Sequence, residues 1–290
     1  MRRRLLYLCL ALCAASTLGV CITVLAGLKE TAARERSNAM LRSALRLHRR
    51  GETQQALALA REAVAEAPRN PRAHQAVGVF LTAERQLGEA VVELRTAAAA
   101  LPDDAGVASD LAEALAAQGD RAEATRWLRR ATELRPSDAS SRVRLARLLL
   151  ESEDARDALS VAQEAAALAP RSPDAQFMLG LARWGSRDAH GAYAAFHEAV
   201  RLRPSFVAAL ASLASAAQAL GRPGEAVGYL RRASALRPED TRVWMALGSA
   251  LLESGDRKGA GEAFQRALRL DPGSGAARRG LAAAGAQESH

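Results

Sequence analysis

Cysteine is nearly missing from this chain: of 290 residues, only Cys9, Cys13 and Cys21 carry a thiol. Everything after residue 21 is free of it, which excludes a disulfide framework or a cysteine-ligated zinc from the body. Aromatic residues make up only 4% of the chain, and β-branched runs of alternating polarity are hard to find, so the pattern argues against sheet. Charge of one sign is not concentrated in the body either. The net +8 divides into +4 from residues 1–36 (six basic, two acidic), +3 from residues 37–274 (32 basic, 29 acidic) and +1 from the last sixteen. A mixed-charge body without a basic stripe gives no reason to expect a nucleic-acid partner. What is abundant is alanine and leucine, both helix formers, within a 49% hydrophobic content. A core of such small side chains requires its helices to approach closely.

One long uncharged run stands out. After Met1-Arg2-Arg3-Arg4, residues 5–28 read LLYLCLALCAASTLGVCITVLAGL. As a helix these residues would span about 36 Å, enough to cross a hydrocarbon core. The expectation is a retained single-pass anchor, with residues 1–28 forming a cytoplasmic stub and a transmembrane helix. Cleavage after Val24-Leu25-Ala26 and lipidation at Cys21 are the rival readings. Arg2, Arg3 and Arg4 abut the run, whereas Lys29, Arg34, Arg36 and Arg42 beyond it are diluted and mixed with Glu30 and Glu35. This asymmetry favours a body on the far side of the membrane, periplasmic if the membrane is a bacterial inner membrane. Ala11, Ala15 and Gly19 share one face of the run, a pattern that can let two anchor helices touch and so allow weak self-association.

The body repeats itself. WLRRATELRP, Trp127 to Pro136, returns 102 residues later as YLRRASALRP, Tyr229 to Pro238. Prolines recur every 34 residues at Pro68, Pro102, Pro136, Pro170, Pro204, Pro238 and Pro272. Twelve residues before each is an alanine (56, 90, 124, 158, 192, 226, 260), and five before each is another (63, 97, 131, 165, 199, 233, 267). A fourth column holds only Ala44, Gly78, Ala112, Ala146, Gly180, Ala214 and Gly248. A fixed period in this range, with two helical stretches per period, predicts a stacked solenoid in which no module buries its apolar face alone. Gly51, Gly119, Gly221 and Gly255 are expected to end the first helix of their modules, and each proline to stop the second. Leu134, Leu168, Leu202, Leu236 and Leu270 are expected to plug the seam to the next module.

The stretch TRVWMALGSALLESGDRKGAGEAFQRALRLDP, residues 241–272, is the clearest copy. Its Trp244, Leu247, Gly248, Gly255, Ala260, Phe264, Ala267 and Pro272 resemble the spaced pattern of the tetratricopeptide repeat; Leu251 stands where that family usually has tyrosine. The resemblance implies an all-α, right-handed superhelical solenoid. It covers seven 34-residue helix-turn-helix units: 37–70, 71–104, 105–138, 139–172, 173–206, 207–240 and 241–274. Residues 29–36 would be a short polar link, and residues 275–290 a degenerate capping helix and tail.

No catalytic constellation emerges from the sequence. His48, His74, His190, His197 and His290 lack metal-ligand spacing, and GSGAARRG near residue 273 has no preceding strand for a phosphate loop. No enzyme activity, metal or cofactor is therefore expected. Function is assigned to the concave groove, which the first helix of each unit lines in the family. Phe177, Leu181 and Trp184 follow one helical stripe and are expected to face that groove as an aromatic anchor, unless Trp184 folds back into the core. Asp110 and Glu113 form a second candidate zone with Arg144 and Arg147, either as interhelical bridges or as a site for an acidic peptide. The phase-matched Asn38, Leu41, Arg42, Leu45, Arg72 and Gln75 do not reproduce the family's clamp for a terminal carboxylate. The sequence thus reads as a membrane-tethered scaffold that binds protein or peptide partners for assembly of an envelope complex. A cytoplasm-facing adaptor and a non-catalytic accessory subunit are the alternatives.

Overall fold

The computed structural model describes residues 27–152 and 154–285. Among these residues there are fifteen helices and no strand. The chain divides into two compact units, Met1–Leu134 and Arg135–His290. In the first unit, α1 (27–49) pairs with α2 (Thr53–Glu66), α3 (Pro71–Ala83) with α4 (Leu87–Ala100), and α5 (Ala105–Gln118) with α6 (Arg121–Leu134). In the second, α7 (Ala139–Glu151) pairs with α8 (Ala155–Leu168), α9 (Pro173–Gly185) with α10 (Ala189–Leu202), α11 (Val207–Ala219) with α12 (Pro223–Leu236), and α13 (Thr241–Glu253) with α14 (Arg257–Leu270). A single helix, α15 (Gly275–Gly285), follows and packs on α13 and α14.

The polar link 29–36 is helical and runs without a break into the first hairpin as part of α1. The apolar run expected to cross a membrane lies, apart from Gly27 and Leu28, outside the described residues. Among the described residues no helix is long and apolar enough to cross a membrane.

The alanine columns form the packing surface. All fourteen alanines of the two columns are fully buried, where a larger side chain would push neighbouring helices apart. The fourth column explains itself by size. Its residue meets the one sixteen positions later on the partner helix of the same hairpin. Gly180 lies against Phe196, Gly248 against Phe264 and Gly78 against Leu94, so tightly that any Cβ at these glycines would collide with the facing side chain. Where the facing residue is Leu128 or Leu230, the small residue is Ala112 or Ala214. Phenylalanine thus opposes glycine in both hairpins that carry it, whereas leucine opposes glycine in one hairpin and alanine in two.

The turns repeat as faithfully as the helices. Gly51, Gly119, Gly221 and Gly255 have the expected left-handed backbone, with φ from 72° to 102°. The same turn position is occupied by Arg85 and Arg187, both at φ 63°, so the turn keeps its shape where glycine is absent. A left-handed conformation costs an ordinary L-residue about 1–2 kcal/mol, and glycine gives back about 0.5–1 kcal/mol of that through lost chain entropy. Arg187→Gly is therefore expected to stabilise the second unit by about 0.5–1 kcal/mol, read as a raised denaturant midpoint. An unchanged or lowered midpoint would show that the Arg187 side chain contributes more than the strain it brings.

Helix starts follow two further columns that the sequence reading did not single out. Two residues after six of the seven prolines stands Asn70, Asp104, Asp138, Ser172, Asp240 or Ser274, and each side chain accepts a backbone N–H of the next helix. Asp120, Asp154, Asp188 and Asp256 do the same for the second helices of their hairpins. Burial alone would raise the Asp104 carboxyl. The Val107 and Gly106 N–H groups and the Arg72 guanidinium, 2.6 Å away, outweigh it and hold the group below the usual carboxylate range. A depressed carboxyl adds stability that is complete above its unfolded pKa of about 3.9 and is lost as pH falls through the folded value. Asp104→Asn keeps an acceptor but cannot titrate. The stability lead of the native chain over this variant should shrink below about pH 3.9, checked by urea unfolding at stepped pH.

One expectation about the seams is corrected. Leu168 and Leu236 are 44% and 43% exposed, and Leu134, Leu202 and Leu270 are only half-buried. These leucines lie at the last residue of their helices, past the contact with the following hairpin. Where Leu168, Leu202 and Leu236 stand, the seam is closed two residues earlier, by Ala166, Val200 and Ser234, all buried.

Candidate functional site

The predicted stripe Phe177, Leu181 and Trp184 occupies successive turns of α9, and the structure grades it from inside to outside. Phe177 is half-buried in an aromatic cluster, its ring 5.7 Å from that of Phe196 and 4.8 Å from that of Phe206. Phe206 stands in the column where other helices have a polar cap, and α11 begins without a side-chain cap bond. Its ring is instead held under the Arg203 guanidinium at 4.7 Å, and Arg203 pairs through both terminal nitrogens with Asp174. Leu181 is half-buried against the same core clusters. Trp184 stands out of the surface at 41% exposure. It does not fold back into the core, and the neighbouring Arg183 donates through Nη1 to the Gly191 carbonyl at 3.2 Å.

In the 34-residue phase of Trp184 lie Leu150 on α7, Gln218 on α11 and Leu252 on α13, all half-buried. Between them α11 presents Ala208, Ala211, Ser212 and Ser215, a face without charge or bulk. Helices α9 and α11 therefore offer a lane poor in charge from which one indole rises. The uncharged face of α11 was legible in the sequence as a run of alanine and serine, but gained meaning only beside Trp184.

The acidic pair lies in the first unit and the basic pair in the second. Asp110 accepts a hydrogen bond from Gln75 Nε2 at 2.7 Å, and Asp110 and Glu113 line an open depression of about 380 Å³ with His48, Val79, Thr82 and Arg85. Arg144 on α7 is half-buried and Arg147 exposed. Three residues weighed for a carboxylate clamp have other duties: Asn38 accepts from Asn70, Arg72 pairs with Asp104, and Gln75 holds Asp110. Among the described residues no group of His, Cys, Asp and Glu is arranged to hold a metal ion.

Consecutive helical hairpins with repeating turns and repeating caps define a helical-repeat protein. Sequence profiles described as tetratricopeptide repeat match residues 143–205, 177–240, 211–275 and 245–288, and a second such profile matches 81–148. The chain belongs to the tetratricopeptide-repeat family. No curated protein sequence matches it. Among solved structures it resembles a chain of the APC/C hetero-tetramer Cut9–Hcn1, with a TM-score of 0.70 and 20% identity, over 83% of this chain and 48% of that one. The chain thus spans about half the length of that relative. A tetratricopeptide repeat protein from Parabacteroides merdae gives a TM-score of 0.63 at 11% identity, over 86% of this chain and 99% of its own. YrrB, described as a TPR protein with an unusual peptide-binding site, gives 0.54 at 18% identity, over 64% and 96%. At these identities the likeness is one of fold.

Proposed function

We propose that this chain is a non-catalytic scaffold, tethered to a bacterial inner membrane by its first 28 residues, that binds a segment of a partner protein along the first-helix face of its second unit. The observation that carries the reading is Trp184, a 41% exposed indole seated on half-buried Leu181 and flanked by the small uncharged side chains of α11. Exposed aromatic residues on an apolar lane anchor protein partners, and a lane without charge suits an apolar or helical segment. The peptide-binding site named for YrrB, which shares the fold, supports the same use of the scaffold. Similar anchored proteins of the family serve assembly of envelope complexes, and the uncharged run 5–28 supports a tether of that kind.

A photo-crosslinking residue at position 184 is expected to capture a defined partner in cells. The same residue at Ala194, exposed on α10, is expected to capture none. Capture from 194 with none from 184 would reverse the assignment of faces. Alkaline phosphatase fused after His290 should be active if the body is exported, and inactive if the body faces the cytoplasm.

A further inference from the structure

The second helices of neighbouring hairpins stand side by side, and between each pair is a notch floored by the first helix that separates them. In four of these notches the chain fills the gap itself. Between α2 and α4, Arg61 pairs with Glu89 at 2.8 Å and Glu93 reaches His74 Nδ1 at 2.6 Å. Between α4 and α6, Arg95 pairs with Glu123 at 2.7 Å, and Trp127 Nε1 donates to the same carboxylate at 3.3 Å. Between α8 and α10, Arg183 lies over Gly191. Between α10 and α12, Tyr193 donates to Glu225 at 2.6 Å and sits 3.1 Å from the Tyr229 hydroxyl, while Leu210 and Leu213 beneath are fully buried.

The notch between α12 and α14 is different. Thirty-four residues after Glu225 stands Gly259, and thirty-four after Tyr229 stands Ala263. Arg231 belongs to the same column as Arg61 and Arg95, but the carboxylate those two meet is here Gly259. Among the described residues Arg231 instead meets Asp256, at 3.8 Å. What remains is an open cavity of about 410 Å³ with Trp244, Leu247, Leu251 and Ala263 in its walls and Arg231 and Arg269 at its rim. Arg266, also at the rim, leans to Glu239 at 3.4 Å, and Glu262 is the rim's carboxylate.

We infer that this notch is a second docking site, which receives a carboxylate and an aromatic ring presented one helical turn apart by a partner protein. The two side chains the last seam lacks are a carboxylate and a phenol four residues apart, and the arginine that would pair with the former is in place. Charge and shape thus specify the occupant, and the face is separate from the lane around Trp184.

The test uses the full-length chain in detergent micelles and a fluorescein-labelled, alanine-based helical peptide carrying one Glu and one Tyr four residues apart, followed by fluorescence anisotropy. Saturable binding is expected. It should weaken by about tenfold or more with Arg231→Ala, or when the peptide's Glu is changed to Gln, as expected for loss of one charge-assisted hydrogen bond. Ala263→Tyr, alone or with Gly259→Glu, should fill the notch from within and abolish binding. Helix content by circular dichroism should be retained, since Asp120 caps Glu123 in the arrangement that Gly259→Glu would create. Trp184→Ala should leave the peptide's affinity unchanged. Absence of binding, equal binding by Arg231→Ala and Ala263→Tyr, or loss of binding with Trp184→Ala would each overturn the assignment. The last outcome would move the peptide to the first-helix lane and leave the proposed function standing.

Discussion

Phe264→Ala is expected to cost about 3–5 kcal/mol, the largest loss from any single truncation proposed for this chain. The ring is 2% exposed and occupies the space vacated by two glycines, Gly248 on α13 and Gly280 on α15, where any Cβ would collide with it. Removing it leaves a cavity with glycine on two sides, and backbone cannot relax into a void as a flexible side chain would. The loss should be local: hydrogen-exchange protection is expected to fall in α13, α14 and α15 while the first unit keeps its own, because repeat modules depend mainly on their neighbours. A loss spread evenly over both units would contradict that view.

Gly248→Ala should destabilise by about 1–3 kcal/mol through overpacking, since its Cβ would stand 2.6 Å from the Phe264 ring. The repeat supplies the remedy. Ala214 faces Leu230 and Ala112 faces Leu128 in neighbouring hairpins, so alanine and leucine form a compatible pair at these positions. Phe264→Leu placed in the Gly248→Ala background is therefore expected to recover stability, with a favourable coupling energy of about 1 kcal/mol or more in a double-mutant cycle. Strict additivity of the two changes would mean that the glycine and the ring do not hold each other's size.

Much of this was readable from the residues. A period of 34, fixed by proline and two alanine columns, predicted helical hairpins and the left-handed glycine turns, and the structure has both. The seam leucines misled because the period places a residue on a helix without saying how far the contact with the next hairpin extends. Leu168 and Leu236 come two residues too late. The stripe on α9 was visible as spacing, but its grading was not. That Phe177 is drawn inward depends on Phe206, an aromatic residue in a capping column, which has meaning only once α9 and α11 lie side by side. The open notch was equally hidden, since it requires Gly259, Ala263 and Arg231 to be compared with their counterparts in other hairpins.

The fit between the small residue of a first helix and the side chain sixteen positions later is settled inside a single hairpin, so a duplicated hairpin carries both halves of its fit with it. Lengthening by copying whole modules therefore leaves the small-to-large matching intact at every new position. Shortening is not symmetrical. Phe264 also rests on Gly280 from beyond its own module, so a chain cut after Pro272 would bare an aromatic ring at its new end. Helix α15 thus does for Phe264 what no residue of its own module does.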